Sequence, residues 1–147
     1  MKNLLNFNLI NLLYQTNLDQ FEKLNLDITN DEEANVFILM KHIFKEMGIK
    51  QRYFCFDIKK VEIDNGISFI LTQNEEHGEK LNECSNAHLM PIKHMLYNFE
   101  LVSLHKIKMT QYIDFDPDVG MPFFLEPIFG IVSKTMLKQM KQFIEAI

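Results

Sequence analysis

Two alternating apolar segments joined by a tight-turn sequence constrain the fold of this chain more than any other feature. Residues 52–64 and residues 67–73 alternate apolar and polar side chains. Alternation of this kind places the apolar side chains on one face of a strand. Asn65-Gly66 lies between the segments, and this pair tolerates the positive φ angles of a type I′ hairpin turn. The sequence therefore predicts an antiparallel hairpin with one buried face.

Three further segments predict strands. Residues 35–44 are rich in β-branched and aromatic side chains, which favours a buried strand, although a helix also fits their length. Residues 95–102 and 106–115 alternate and predict two long strands. The polar segment 74–88 predicts a loop before them.

Helical spacing appears at both ends of the chain. Leucines within residues 3–14 predict an N-terminal helix, and residues 16–25 predict a second short helix. From Leu125 to Ile147, apolar residues recur every three or four positions, which predicts a long C-terminal helix. Pro127 either kinks this helix or marks its start. One-sided strands followed by an amphipathic helix predict an α+β fold, with an antiparallel sheet covered by the last helix.

Composition and charge disfavour several classes of protein. The formal net charge is −5 and Arg52 is the only arginine, which disfavours binding of nucleic acid. Cys55 and Cys84 are too few for a disulfide framework and fit a reducing compartment. No run approaches the roughly 20 apolar residues of a transmembrane segment. We therefore expect a cytoplasmic protein.

Three alternating aspartates, Asp114, Asp116 and Asp118, suggest a calcium loop or a turn. An EF-hand loop needs glycine at its sixth position and glutamate at its twelfth. Here Gly120 comes one place late and the twelfth position is Leu125. The aspartates therefore predict a turn before the last helix.

Other candidate sites are weak. The cysteine and histidines near the polar loop lack the paired spacing of a zinc site; they are His77, Cys84, His88 and His94. The sequence nominates no base for Cys55, which favours a packed structural thiol. Phosphate loops, nucleophile elbows and zinc-protease motifs are absent from the sequence. We expect no catalytic residue, no metal site and no cofactor, and hence no enzyme.

Several dipeptides follow one another in a distinctive order. They are Arg52-Tyr53 opening a strand pair, Met90-Pro91 after the polar loop, and Asp116-Pro117, Gly120, Met121-Pro122 and Phe123-Phe124 before the last helix. This order resembles the START lipid-transfer domains of the helix-grip superfamily, over roughly residues 12–147. The resemblance implies an antiparallel β-sheet wrapped around a long C-terminal helix, with a helical N-terminal segment. It also implies one START-like domain over residues 1–147, which lacks the first strands of the family.

The resemblance implies non-enzymatic binding or transfer of a lipid, or of another hydrophobic molecule, in an apolar cavity. The residues expected to line that cavity, which an ordinary core would also explain, are Met40, Phe56, Phe69, Phe99, Met109, Phe124, Ile128 and Val132. His42 and Gln111 are the expected head-group contacts, unless each is a core polar group satisfied by backbone.

The alternative is a shortened START-like accessory subunit with a structural role in a larger protein assembly. A mitochondrial complex is one assembly that fits this alternative. In that case a protein partner would complete the sheet or contact the leucine-rich N-terminal helix.

Overall fold

The computed structural model describes residues 5–42, 45–74, 86–119 and 125–146. These residues form two helices and seven strands, with short 3-10 turns at Leu18–Gln20 and Lys45–Met47. In chain order the elements are α1 (Phe7–Gln15), β1 (Phe21–Ile28), β2 (Glu33–Met40), β3 (Arg52–Ile63), β4 (Gly66–Gln73), β5 (His88–Leu89), β6 (Ile92–Ser103), β7 (Lys106–Phe115) and α2 (Leu125–Ala146).

The strands form a single sheet in the order β1-β2-β3-β4-β6-β7, and all these neighbours are antiparallel. The short strand β5 runs parallel to the first two residues of β3. The α+β fold predicted from the sequence is confirmed, with an antiparallel sheet, a helical N-terminal segment and a long C-terminal helix in a helix-grip-like layout.

The hairpin predicted around residues 64–66 is confirmed, but its turn differs from the prediction. Ile63 pairs with Gly66, so the turn residues are Asp64 and Asn65. Among the described residues, only Gly48 has a positive φ. A Cβ atom at Gly66 would overlap the backbone carbonyl of Phe99 on the neighbouring strand. The glycine is therefore needed for close approach of two backbones, and not for a positive φ.

The second short helix predicted for residues 16–25 is wrong. After one 3-10 turn the chain enters strand β1, which pairs with β2. The pairing of β1 with β2 is irregular between Phe21 and Lys23. The apolar positions that follow, Leu24 and Leu26, are therefore out of step with Phe21. The bulge hides the two-residue period, because it shifts the parity of the apolar positions.

Residues 35–40 of the predicted strand lie in β2, which ends at Met40, and His42 lies beyond it. Pro127 lies in the first turn of α2 as described, where its missing N–H removes no helical hydrogen bond. Within the described ranges, no helix has both the length and the hydropathy of a membrane span.

The main hydrophobic core lies between one face of the sheet and the two helices. Ile10 and Leu13 of α1 and Met140 of α2 are buried against this face. The ring of Phe7 lies 5.3 Å from that of Phe69, which in turn meets Phe99 edge to face. A second cluster lies on the opposite face of the sheet; its buried members are Phe37, Leu39 and Cys55.

Candidate functional site

A pocket of about 70 Å³ lies where the end of β2, the start of β3 and the beginning of α2 meet. Its apolar lining residues are Met40, Ile49, Phe54, Met90, Leu125, Ile128, Phe129 and Val132. Its polar lining residues are Lys41, His42, Lys50, Gln51 and Arg52. The pocket therefore has an apolar wall and a basic rim.

Helix α2 supplies half of the apolar wall. Its lining residues, Leu125, Ile128, Phe129 and Val132, are spaced by three and four positions and so share one face of the helix. The Phe129 ring is 5.4 Å from Phe54 of β3 and meets Phe115 of β7 edge to face at 5.9 Å. These aromatic contacts hold the first turns of α2 against the sheet.

Hydrogen bonds from two side chains, Gln51 and His42, hold the polar side of the pocket in place. The Gln51 side-chain nitrogen donates to the carbonyl oxygen of Met40 at 2.8 Å and to a carboxylate oxygen of Glu22 at 2.6 Å. The His42 Nε2 atom lies 2.7 Å from the carbonyl oxygen of Ile49. Because a carbonyl oxygen only accepts, Nε2 carries the proton and donates. The amide and the imidazole therefore connect the end of β2 to the start of β3.

Arg52 is the exception among these polar residues. Its side chain is partly buried, and its Nε atom is buried with no hydrogen-bond partner in the part of the chain that the structure describes. Loss of water around the guanidinium lowers the pKa of Arg52, but an arginine remains charged at neutral pH. The pocket rim therefore carries a charged side chain whose buried Nε donor has no acceptor among the described residues.

Four of the residues predicted to line the cavity or to contact a head group meet at this pocket; they are Met40, His42, Ile128 and Val132. The other candidates among the described residues do not line it. Phe56, Phe69 and Phe99 are buried in the main core, and Met109 packs against its edge. Phe124 lies outside the described residues.

Gln111 does not line the pocket either. Its side-chain nitrogen donates to the hydroxyl oxygen of Tyr97 at 3.1 Å and approaches the sulfur of Met95 at 3.3 Å. The Gln111 amide therefore forms its hydrogen bonds across the sheet, from β7 to side chains of β6.

Sequence reasoning missed most of the pocket residues, including Arg52, Lys50 and Phe129. One signal was present for Arg52. In the alternating segment it shares the parity of Phe54 and Phe56, so the only arginine of the chain falls on the apolar face.

Of the aspartates that suggested a calcium loop, Asp116 and Asp118 lie in a turn. The Asp116 carboxylate accepts the backbone N–H of Asp118 at 3.0 Å and faces the Lys93 ammonium at 3.6 Å. Asp114 lies on β7 with an exposed side chain. The hydrogen bond between the Asp118 N–H and the Asp116 carboxylate is that of an Asx turn.

The histidine and cysteine candidates are dispersed. His77 and Cys84 lie outside the described residues, and His88 and His94 are exposed on β5 and β6. No group of three metal-binding side chains occurs within the described ranges. Burial and the nearby Asp57 raise the pKa of the Cys55 thiol to about 11, which keeps it protonated at neutral pH.

Comparison with known proteins leaves the family open. No family model, no curated protein sequence and no solved structure matches this chain. An antiparallel sheet with a C-terminal helix is not specific to START domains, so the resemblance stays a prediction.

Proposed function

We propose that this protein binds a small hydrophobic or amphipathic molecule without chemically changing it, as the START resemblance also predicts. The observation that carries the proposal is the pocket beside α2, where eight of thirteen lining residues are apolar. Concave apolar sites with a few converging polar groups are the usual form of small-molecule binding sites. Binding alone requires no reactive group.

The size of the pocket narrows the ligand class. Its volume of about 70 Å³ is well below the roughly 300–1,000 Å³ of pockets that enclose drug-sized ligands. A short single chain, or the end of a longer one, suits this volume better than a whole two-chain lipid. Burying two or three methylenes, about what this volume holds, would contribute roughly 2 kcal/mol, which is enough for weak binding only.

Filling the pocket tests this function. We expect Ile128→Trp to abolish binding of a short-chain ligand, because the indole would occupy the pocket beside Phe54. The folded state should lose less than about 1 kcal/mol, because the new side chain enters existing space. Binding is measured by calorimetry with octanoate, stability by thermal unfolding, and bound molecules by mass spectrometry of extracts from the purified protein.

Ile131→Trp is the matched control. Ile131 lies on the same helix but is 65% exposed and does not line the pocket. It should leave both binding and stability unchanged. A destabilisation of roughly 1–3 kcal/mol by Ile128→Trp, in a protein that binds no such ligand, would instead indicate an overpacked core and reject the carrier proposal.

The second candidate function is that of an accessory subunit, favoured by exposed apolar residues at the tip of the β6–β7 hairpin. Val102, Leu104 and Ile107 are 56%, 72% and 39% exposed. The ten-residue strand β7 lies at an edge of the sheet, where a partner strand can add hydrogen bonds. The apolar face of α1 packs in the core and so does not face a partner. In an accessory subunit, the partner would therefore bind the tip of the β6–β7 hairpin and the edge strand β7.

The compartment remains a prediction under either function. A carrier is expected in the cytoplasm, and the accessory subunit also fits a mitochondrial assembly.

A further inference from the structure

Arg52 occupies a position where a strand of this kind normally carries an apolar residue. Successive side chains of a strand point to opposite faces, so Arg52 shares the helix-covered face with Phe54 and Phe56. It makes no ion pair with any described residue, and its Nε donor has no acceptor there. A buried donor without a partner is costly.

The charged residues that line the described part of the pocket all have the same sign. Lys41 and Lys50 line the same pocket, and no aspartate or glutamate among the described residues does. Glu22 does not line the pocket, and its carboxylate accepts a hydrogen bond from Gln51. Three cations thus surround one small pocket in a chain whose formal net charge is −5. This local reversal of charge favours an anionic ligand.

We propose that the pocket binds a single-chain amphipathic anion, with its head group on Arg52 and its chain against Met40, Ile128 and Val132. The inference rests on the proposed function and deepens it by naming the ligand class. A carboxylate on the guanidinium would give Arg52 the anionic partner that no described residue supplies. Lys41 and Lys50 would add attraction at the rim without fixing the geometry of the head group.

The combination of groups selects this class over neutral molecules. A neutral ligand of the same chain length would fill the apolar wall but leave the charge of Arg52 without an anionic partner among the described residues. A sulfate or phosphate ion without a chain would satisfy Arg52 but leave the wall of Phe54 and Ile128 unfilled. Only a molecule with both parts matches the whole pocket.

Calorimetric titration with matched eight-carbon ligands tests the inference. Octanoate should bind the wild-type protein at least tenfold more tightly than octanol, which has the same chain without the charge. Arg52→Met should remove this preference by weakening octanoate binding at least tenfold while changing octanol binding less than about twofold. Arg52→Lys should retain part of the preference, because the charge stays but the planar fork is lost.

Lys59→Met is the matched control. Lys59 lies on the same strand with an exposed side chain and does not line the pocket. Its substitution changes the net charge of the protein as much as Arg52→Met does. It should leave the affinities for both ligands unchanged, and a loss equal to that of Arg52→Met would reject a specific head-group site.

The remaining outcomes separate the two proposals. Equal binding of octanoate and octanol, unaffected by Arg52→Met, would overturn the anion inference and leave the proposed function standing. Binding of neither ligand would overturn both. Tighter binding of octyl phosphate than of octanoate would overturn the choice of a carboxylate and assign the anion site to a phosphate.

Salt dependence gives a test that needs no variant. Raising sodium chloride from about 0.05 M to about 0.5 M should weaken octanoate binding several-fold, because the higher ionic strength screens Arg52 and both rim lysines. The same change should not weaken octanol binding. Octanoate affinity that is independent of salt would contradict a charged head-group site.

Discussion

At the scale of single residues, polar groups are placed inside the sheet core with their partners. The hydroxyl of Tyr97 lies in the core and accepts from the Gln111 amide, and the buried Tyr14 hydroxyl lies close enough to interact electrostatically with it. Burial raises the pKa of both tyrosines well above the usual value of 10.0. Both side chains therefore keep their protons at pH values where a tyrosine of the unfolded chain has lost its own.

Alkaline pH should destabilise the protein through these tyrosines. Above pH 10 the unfolded chain releases protons that the folded protein retains, so the free energy of unfolding falls as the pH rises. Each such tyrosine should contribute about 1.4 kcal/mol per pH unit. Urea unfolding between about pH 8.5 and pH 11 measures the slope.

Substitution by phenylalanine identifies the source of this slope. Tyr97→Phe should make the loss of stability above pH 10 less steep, whereas Tyr112→Phe should not, because Tyr112 is 58% exposed. Identical slopes for wild type and Tyr97→Phe would contradict the assignment. Cys55, whose pKa is raised from 9.0 to about 11, adds a loss that begins at lower pH in all these proteins.

At the scale of elements, the two helices are tied together by one buried amide. Asn17 follows the end of α1 and is 0% exposed. Its side-chain nitrogen donates to the carbonyl oxygen of Leu13 at 2.7 Å and to that of Met136 in α2 at 3.1 Å. The Asn17 side chain therefore donates to a carbonyl at the end of α1 and to another in the middle of α2.

We expect Asn17→Ala to lower the free energy of unfolding by about 1–3 kcal/mol, because two buried carbonyls lose a donor. The Oδ1 atom of Asn17 has no partner in the described part of the chain, so its removal offsets part of this loss. Asn11→Ala, at an exposed position in α1, should change stability by less than about 0.5 kcal/mol. Equal urea midpoints for both variants would show that the Asn17 bridge adds no stability.

The elements also differ in how far sequence patterns could predict them. The hairpin around residues 64–66 and the helix from Leu125 were predictable, because their periods of two and about 3.6 residues are local and uninterrupted. Strand β1 was not, because the irregularity near Phe21 breaks its alternation. Gly66 marked the hairpin correctly, although its role depends on Phe99, a residue 33 positions away.

At the scale of the whole molecule, the pocket depends on contacts between segments far apart in the chain. Met40 and Arg52 come from one end of the sheet and Ile128 from α2, and no local period reports that they meet. The alternation that predicted Phe56 and Phe69 as lining residues identifies the apolar face of a strand. Residues that pack in a core and residues that line a cavity show the same alternation. The sequence therefore predicted the face on which a site would lie, but not its place on that face.

Methyl NMR with octanoate most directly tests the central claim, that the pocket beside α2 is the ligand-binding site. We predict shifts in the methyl signals of Met40, Ile128 and Val132, with nuclear Overhauser contacts between these methyl groups and the octanoate chain. The methyl signals of Val102 and Leu104, at the distant hairpin tip, should not change. An absence of ligand contacts at Met40 and Ile128, or contacts confined to the hairpin tip, would contradict the proposed function.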